Sequence, residues 1–306
     1  VGGQTIPMQR ITHPNSVITY TFDSLAGLPI RAHVSTRHGG VSPAPWNTLN
    51  FSVSRGDTPE RVAQNRACFA QAVDVQADQV VRCHQVHGTG IAKVDSSDAG
   101  TFIEQTDGLI TDVTGLPLAW VFADCTPILL YDKANHILGG CHAGWRGTVN
   151  GAAAATLWAM QAAYGTDPGR VVACIGPSIG PQSYEVGEEV INMARAKLHK
   201  PERFFATPAT AAGGSVTKTD ANLPSNLDSD TSPLRYLPET PEIDEFPAKL
   251  HFDLWRANAE QLIEAGVPAE QIEISEIDTA QNIYDFFSHR AEKGQCGLFS
   301  MMAWLA

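Results

Sequence analysis

Short apolar runs bounded by glycine- and proline-containing turns alternate along the chain with longer stretches of three- and four-residue apolar spacing. That is the pattern of strands interleaved with helices. The first 50 residues mix short β-type runs with turn residues, and Arg37-His38-Gly39-Gly40-Val41-Ser42-Pro43 reads as a loop. Thr58-Pro59-Glu60-Arg61 predicts a helix start, with Thr58 as cap and Pro59 in the first turn, running to about Ala72. Residues 79–86 predict a strand whose alternation places Val81, Cys83, Gln85 and His87 on one face. Three more apolar runs, 116–122, 127–131 and 137–141, predict buried strands. The first two flank Ala123-Asp124-Cys125-Thr126, and the third delivers His142 to a Gly-rich turn. Alanine-rich 147–163 predicts a helix whose amide end faces that turn and favours an anion there. Residues 171–175 predict a strand, and 187–198 and 253–265 amphipathic helices.

Residues 200–248 break this pattern. Seven prolines fall between Pro201 and Pro247, beside the small-residue run Ala212-Gly213-Gly214-Ser215. Such a composition builds a core poorly, so it predicts a partly disordered surface insertion within one catalytic domain spanning 1–306.

Composition narrows the function classes. A hydrophobic content of 43% suits a globular chain with a substantial core. The net charge of −12 argues against nucleic-acid binding, which needs a basic face, but allows a small anionic substrate held by a few arginines. No run of about 18 apolar residues is present to span a membrane. Val1 to Thr5 lack the charged and apolar regions of a signal peptide. The six cysteines show no compact CxxC spacing, so free thiols in a reducing cytoplasm are expected.

Three separated segments each offer a soft or borderline donor among small or turn-forming residues: His87 before Gly88, Cys125 before Thr126-Pro127, and His142 before Ala143-Gly144. Brought together they form a His-Cys-His set that suits zinc and leaves one position open, as catalytic zinc sites do. Each residue alone has a plainer reading, Cys125 as a small buried hydrophobe and each histidine as a turn or core residue. The local set Cys83-His84-His87 is weaker, because alternation turns His84 away. Arg37, Arg66 and Arg146 sit in polar or glycine-containing contexts and are candidates for a phosphate or carboxylate clamp, against ordinary surface charge. Asp124 is placed to orient a ligand histidine or to cap a turn. A thiolate hydrolase using Cys125 and His142 satisfies the same residues, although no protease signature surrounds Cys125. A conventional laccase does not, since ten histidines include no H-x-H pair.

Ordered words along nearly the whole chain resemble the YfiH-like family, also called the laccase-domain or polyphenol oxidase family. They include Thr36-Arg37-His38-Gly39-Gly40-Val41-Ser42, Leu49-Asn50-Phe51, Asn65-Arg66, Gln85-Val86-His87-Gly88 and Asp107-Gly108-Leu109-Ile110-Thr111. Further words are Ala123-Asp124-Cys125-Thr126-Pro127, His142-Ala143-Gly144-Trp145-Arg146-Gly147, Asp253-Leu254-Trp255-Arg256-Ala257-Asn258 and Phe286-Phe287-Ser288-His289-Arg290. The resemblance implies an α/β fold of α/β/β/α layers with mixed sheets, likened also to a deamidase with a Cys-His pair. It implies zinc on His87, Cys125 and His142. It further implies phosphorolysis of adenosine, inosine, guanosine and methylthioadenosine, and deamination of adenosine. Purine nucleoside and phosphate are then the partners, with Arg37, Asn50, Arg66 or Arg146 as substrate contacts. Copper in the same site, with oxidation of phenols, is the alternative the family carries, and a non-catalytic binding protein using 200–248 is a third. The chain departs from the family at Asp278-Thr279, where a Cys-Thr pair is common, and at Gly297-Leu298, where Gly-Arg is common.

Overall fold

The computed structural model describes residues 8–208, 234–236 and 249–306. They fall into two compact units, one within Val1–Gly180 and Leu254–Ala306, the other within Pro181–Asp253.

The first unit is a mixed α/β stack of four layers. Its seven-stranded sheet runs, in spatial order, Met8–Thr12, Ile18–Phe22, Ile30–Ser35, Phe299–Leu305, Leu118–Phe122, Val81–Cys83 and Phe102–Ile103. Pairing is antiparallel as far as Leu118–Phe122 and parallel beyond it. The six-stranded sheet runs Ile272–Ile274, Val171–Ile175, Thr126–Asp132, Ile137–Ala143, Gly108–Thr111 and Ile91–Lys93, with both edge pairs parallel.

Strand periodicity explains the layers, because successive side chains point to opposite faces. Leu118, Trp120 and Phe122 meet Leu129, Tyr131, Phe299 and Met301 between the two sheets. The alternate residues Ile128 and Leu130 turn outward onto Leu157 and Met160 of helix Ala152–Tyr164 and Leu262 of helix Leu254–Glu264. Ala119 and Met302 cover the other outer face with Phe69 of helix Pro59–Ala72. That helix starts as its sequence predicts, with Thr58 Oγ1 accepting from the Arg61 N–H at 3.4 Å.

Two predicted elements differ. The 79–86 strand is only Val81–Cys83, since the chain turns away before His87. The 147–163 helix is two, Trp145–Val149 and Ala152–Tyr164, separated at Gly151, whose φ of 83° breaks the helix.

The second unit carries helix Glu188–Lys197 and an antiparallel sheet ordered Glu185–Val186, Leu250–Phe252, Phe205–Pro208 and Leu234–Tyr236. Phe205 and Phe252 stack at 5.0 Å between ring centres. Part of the predicted insertion is therefore β-structure, while 209–233 and 237–248 lie outside the described residues.

Strand Ile137–Ala143 is the tightest point of the stack. A Cβ on Gly140 would lie 2.6 Å from the Trp120 ring, and one on Gly139 2.6 Å from Met160 Sδ. The indole is rigid and fully enclosed, whereas the methionine end can swing aside. Gly140→Ala should cost about 1–3 kcal/mol by overpacking, visible as a lowered denaturation midpoint. Gly139→Ala should cost measurably less.

Candidate metal centre

The link between strands Leu118–Phe122 and Thr126–Asp132 carries the chain from one sheet to the other, and Cys125 sits in it. Asp124 makes the turn with a φ of 75°. Its carboxylate, buried, accepts from Thr279 Oγ1 and from the Arg290 N–H, each at 2.7 Å. His142 lies one residue before the end of strand Ile137–Ala143, paired with Pro127. His87 follows Val81–Cys83 in a loop with a φ of 60°. Gln85 replaces the missing strand residues, its amide bonding both the Val121 N–H and carbonyl at 2.9 and 2.8 Å.

One carboxylate ties the loop to the strand. Asp107, fully buried, accepts from the backbone N–H groups of Val86, His87 and Gly88 at 3.1, 3.0 and 2.7 Å. The same carboxylate bonds His142 Nδ1 at 3.0 Å, which leaves Nε2 of that ring for a ligand bond. The orienting acid is thus Asp107 and not Asp124, whose oxygens are turned to Thr279 and the Arg290 backbone. Burial opposes the charge on Asp107, but His142 and the Gly88 and Val86 N–H groups outweigh it and hold the carboxyl below its usual range.

The donor atoms of His87, Cys125 and His142 all lie within 4.8 Å of one another. Donors about 2.0–2.3 Å from one zinc ion sit closer than that, a spacing that small side-chain rotations reach. Gly144 leaves the space open: a Cβ there would stand 2.8 Å from His87 Nδ1 and 2.9 Å from Cys125 Sγ. Donor chemistry, convergence and the glycine cradle all fit a single borderline or soft ion. Burial pushes the Cys125 thiol up, yet the charge of His142 and hydrogen bonds from His142 and His87 pull it down to about 6. Burial likewise disfavours the His142 cation, but Cys125 and Asp107 raise its pKa above the ordinary value.

These three residues stand on the wall of a cavity of about 770 Å³. Its floor is the outer face of the seven-stranded sheet, with Ala119, Val121 and Met302, and helix Pro59–Ala72 and the 51–55 loop contribute further walls. Of the candidate arginines, Arg66 lines the cavity. Arg37 is buried away from it, bonded to Glu292 at 3.1 Å and to the carbonyls of Asn47 and Ile283. Arg146 is exposed and stacks on Trp145 at 4.2 Å, in a five-residue helix capped by Gly144. Asn50 is fully buried and spends its amide on the Ser52 carbonyl and Asp57. Leu298, one of the family departures, lines the cavity. So does Arg82, a strand residue that carries no sequence signal of its own.

The chain matches the family described as multi-copper polyphenol oxidoreductase laccase over residues 31–230 and 211–306. It is 34% identical to "Purine nucleoside phosphorylase YlmD" of Geobacillus stearothermophilus, over 87% of this chain and 86% of that protein. It is 31% identical to "Purine nucleoside phosphorylase" of Bacteroides thetaiotaomicron, over 92% of this chain and 94% of that one. Among solved structures, Bacillus licheniformis hypothetical protein YfiH superposes with a TM-score of 0.78 at 27% identity, covering 98% and 99% of the two chains. YlmD from Geobacillus stearothermophilus gives 0.76 at 31% identity, covering 98% of each.

Asp107→Asn should weaken divalent-metal binding about 10–100-fold in a chelator competition, because it turns one of the two oxygens that hold His142 and the 86–88 loop into a donor and removes the charge. In metal-free protein, iodoacetamide should label Cys125 with a rate that rises through pH about 6 and is level by neutrality, read by peptide mass mapping. The sign follows from the depressed pKa: the reactive thiolate is present above it and lost as pH falls through it.

Proposed function

The chain belongs to the family described as multi-copper polyphenol oxidoreductase laccase, and from that membership and its three-donor centre we propose a zinc-dependent purine nucleoside phosphorylase that also deaminates adenosine. The observation that carries this reading is the His87-Cys125-His142 group on the wall of a cavity large enough for a nucleoside and bearing a guanidinium. The names of its relatives supply the substrate class.

Zinc held by these three residues would supply Lewis acidity toward a substrate atom or a water. The protein's own contribution is positional. Asp107 fixes the tautomer and plane of His142 and holds His87 through its backbone. Gly144 keeps the space between Cys125 and His87 clear. In phosphorolysis a phosphate oxygen bonds to C1′ of the ribose as the bond from C1′ to the purine nitrogen breaks. The products are ribose 1-phosphate and the protonated free base. Arg66 offers positive charge to the attacking phosphate and to the charge that develops as the bond breaks. In deamination, water oxygen adds at C6 of adenine and ammonia leaves, giving inosine.

A second reading has an observation of its own. Imidazole and thiolate also bind copper well, and copper oxidation of phenols would use the same donors. Against the multi-copper form, the described residues hold one three-donor His/Cys/Asp/Glu group of this kind.

Incubating adenosine and phosphate with the zinc-loaded protein should yield adenine with ribose 1-phosphate, and inosine or hypoxanthine, by mass spectrometry. Cys125→Ala should remove zinc and turnover together. Full nucleoside turnover by that variant would sink the mechanism, and phenol oxidation tracking copper content without nucleoside cleavage would favour copper.

A further inference from the structure

Three guanidinium groups line the cavity; Arg55 is bonded to His289 Nδ1 at 3.1 Å, while the other two have no ion-pair partner among the described residues. Arg66 projects from helix Pro59–Ala72 and Arg82 from the short strand Val81–Cys83, and both line the space that His87, Cys125 and His142 line. Neither makes an ion pair with any of the described residues. Asp78 and Glu104 also border the cavity, but the acid that finds a partner there is Glu104, bonded to His84 at 3.0 Å. Arg66 spends one N–H on the Phe51 carbonyl at 3.2 Å. Arg82 has its guanidinium carbon 5.7 Å from the centre of the Phe102 ring, and its side-chain N–H groups make no hydrogen bond within the described residues.

This arrangement is unfavourable as it stands. Both arginines are half-buried, and burial together with the charge of Arg82 pulls the Arg66 pKa down to about 10. Two like charges held together in a partly desolvated cavity repel each other, and an anion between them relieves both penalties at once. Guanidinium edges suit tetrahedral oxyanions, since each can donate two parallel N–H bonds.

We propose that Arg66 and Arg82 together form a phosphate-dianion seat in this cavity, with Arg82 as a specificity residue for the anion. The inference deepens the phosphorylase reading by naming where its phosphate sits. The same chemistry admits two sources, inorganic phosphate or the 5′-phosphate of a nucleotide. Position favours the first, because the seat shares a cavity with the metal-binding group.

Calorimetry with inorganic phosphate, adenosine 5′-monophosphate and adenosine separates the outcomes and needs no turnover. Wild-type protein, Arg82→Gln, Arg66→Gln and Arg82→Lys are compared, each checked for an unchanged melting transition. Arg82→Gln is the cleaner variant, since no hydrogen bond within the described residues is lost with it. Inorganic phosphate binding should weaken about 10–100-fold in Arg82→Gln and Arg66→Gln and less in Arg82→Lys, with adenosine binding unchanged. If the enzyme performs phosphorolysis, KM for phosphate should rise by a similar factor while KM for adenosine stays. Weakened binding of the nucleotide alone would keep the seat and assign it to a 5′-phosphate. Unchanged binding of both anions in Arg82→Gln and Arg66→Gln overturns the proposal, whether or not nucleoside is cleaved. Phosphate binding that depends on both arginines in a protein that cleaves no nucleoside would retain the seat and reject the phosphorylase.

Discussion

The centre depends on the carboxylate of Asp107. One ligand lies in a loop beyond a three-residue strand and another on a seven-residue strand of the other sheet, and no backbone ladder joins those two strands directly. Asp107 supplies the connection with three backbone N–H acceptances from 86–88 and one bond to His142. Its own backbone is anchored as well, with its N–H on the Gly90 carbonyl and its carbonyl accepting from the His142 N–H at 2.9 Å. A fully buried carboxylate is tolerable only when its lone pairs are met this completely. The charge that would destabilise a core is here the joint between two sheets.

The sheets themselves impose the third ligand. Leu118–Phe122 and Thr126–Asp132 lie in different layers, so the chain must cross between them in three residues. Asp124 takes a left-handed conformation to make that crossing and is held by Thr279 and the Arg290 N–H from the C-terminal segment. Cys125 follows as a consequence of layer geometry, next to His142 because its neighbour Thr126 pairs with Ala143. The glycines at 139, 140 and 144 allow the approach on three sides, toward helix, indole and metal donors in turn.

Much of this was legible in the chain. The Thr58-Pro59 start and the uninterrupted apolar run 171–175 predict elements that appear at those positions, because local signals and tertiary packing agree there. The three donors were legible as well, each lying at an end of an apolar run among small residues. Asp107 was not. An acid before Gly-Leu-Ile-Thr reads as a turn residue, and only the folded 86–88 loop shows what its oxygens accept. The alternation expected to carry His87 onto a strand face fails because Gln85 mimics a strand partner with its side chain and the backbone leaves the sheet. Arg82 was hidden by the same logic: alternation over 79–86 puts it on the face opposite Val81 and Cys83, and only the fold shows that helix Pro59–Ala72 and the 51–55 loop build a cavity it lines.

Electrostatics then bear on what the cavity is for. A folded protein without function would avoid both of its charge arrangements, a half-buried thiol drawn toward thiolate between two imidazoles and two half-buried guanidiniums that make no ion pair among the described residues. Each is costly in opposite sense, the first short of a cation and the second short of an anion. A bound metal ion relieves one and an oxyanion the other, and each ligand stabilises the folded chain by mass action. The two needs share a cavity with apolar stretches of floor at Ala119, Val121 and Met302, where water screens charge poorly and a flat, uncharged group such as a purine can lie. A lone metal group would be consistent with storage or oxidation, and a lone arginine pair with simple anion binding. Their joint presence on one cavity fits the proposed reaction between a nucleoside and phosphate better than either feature alone.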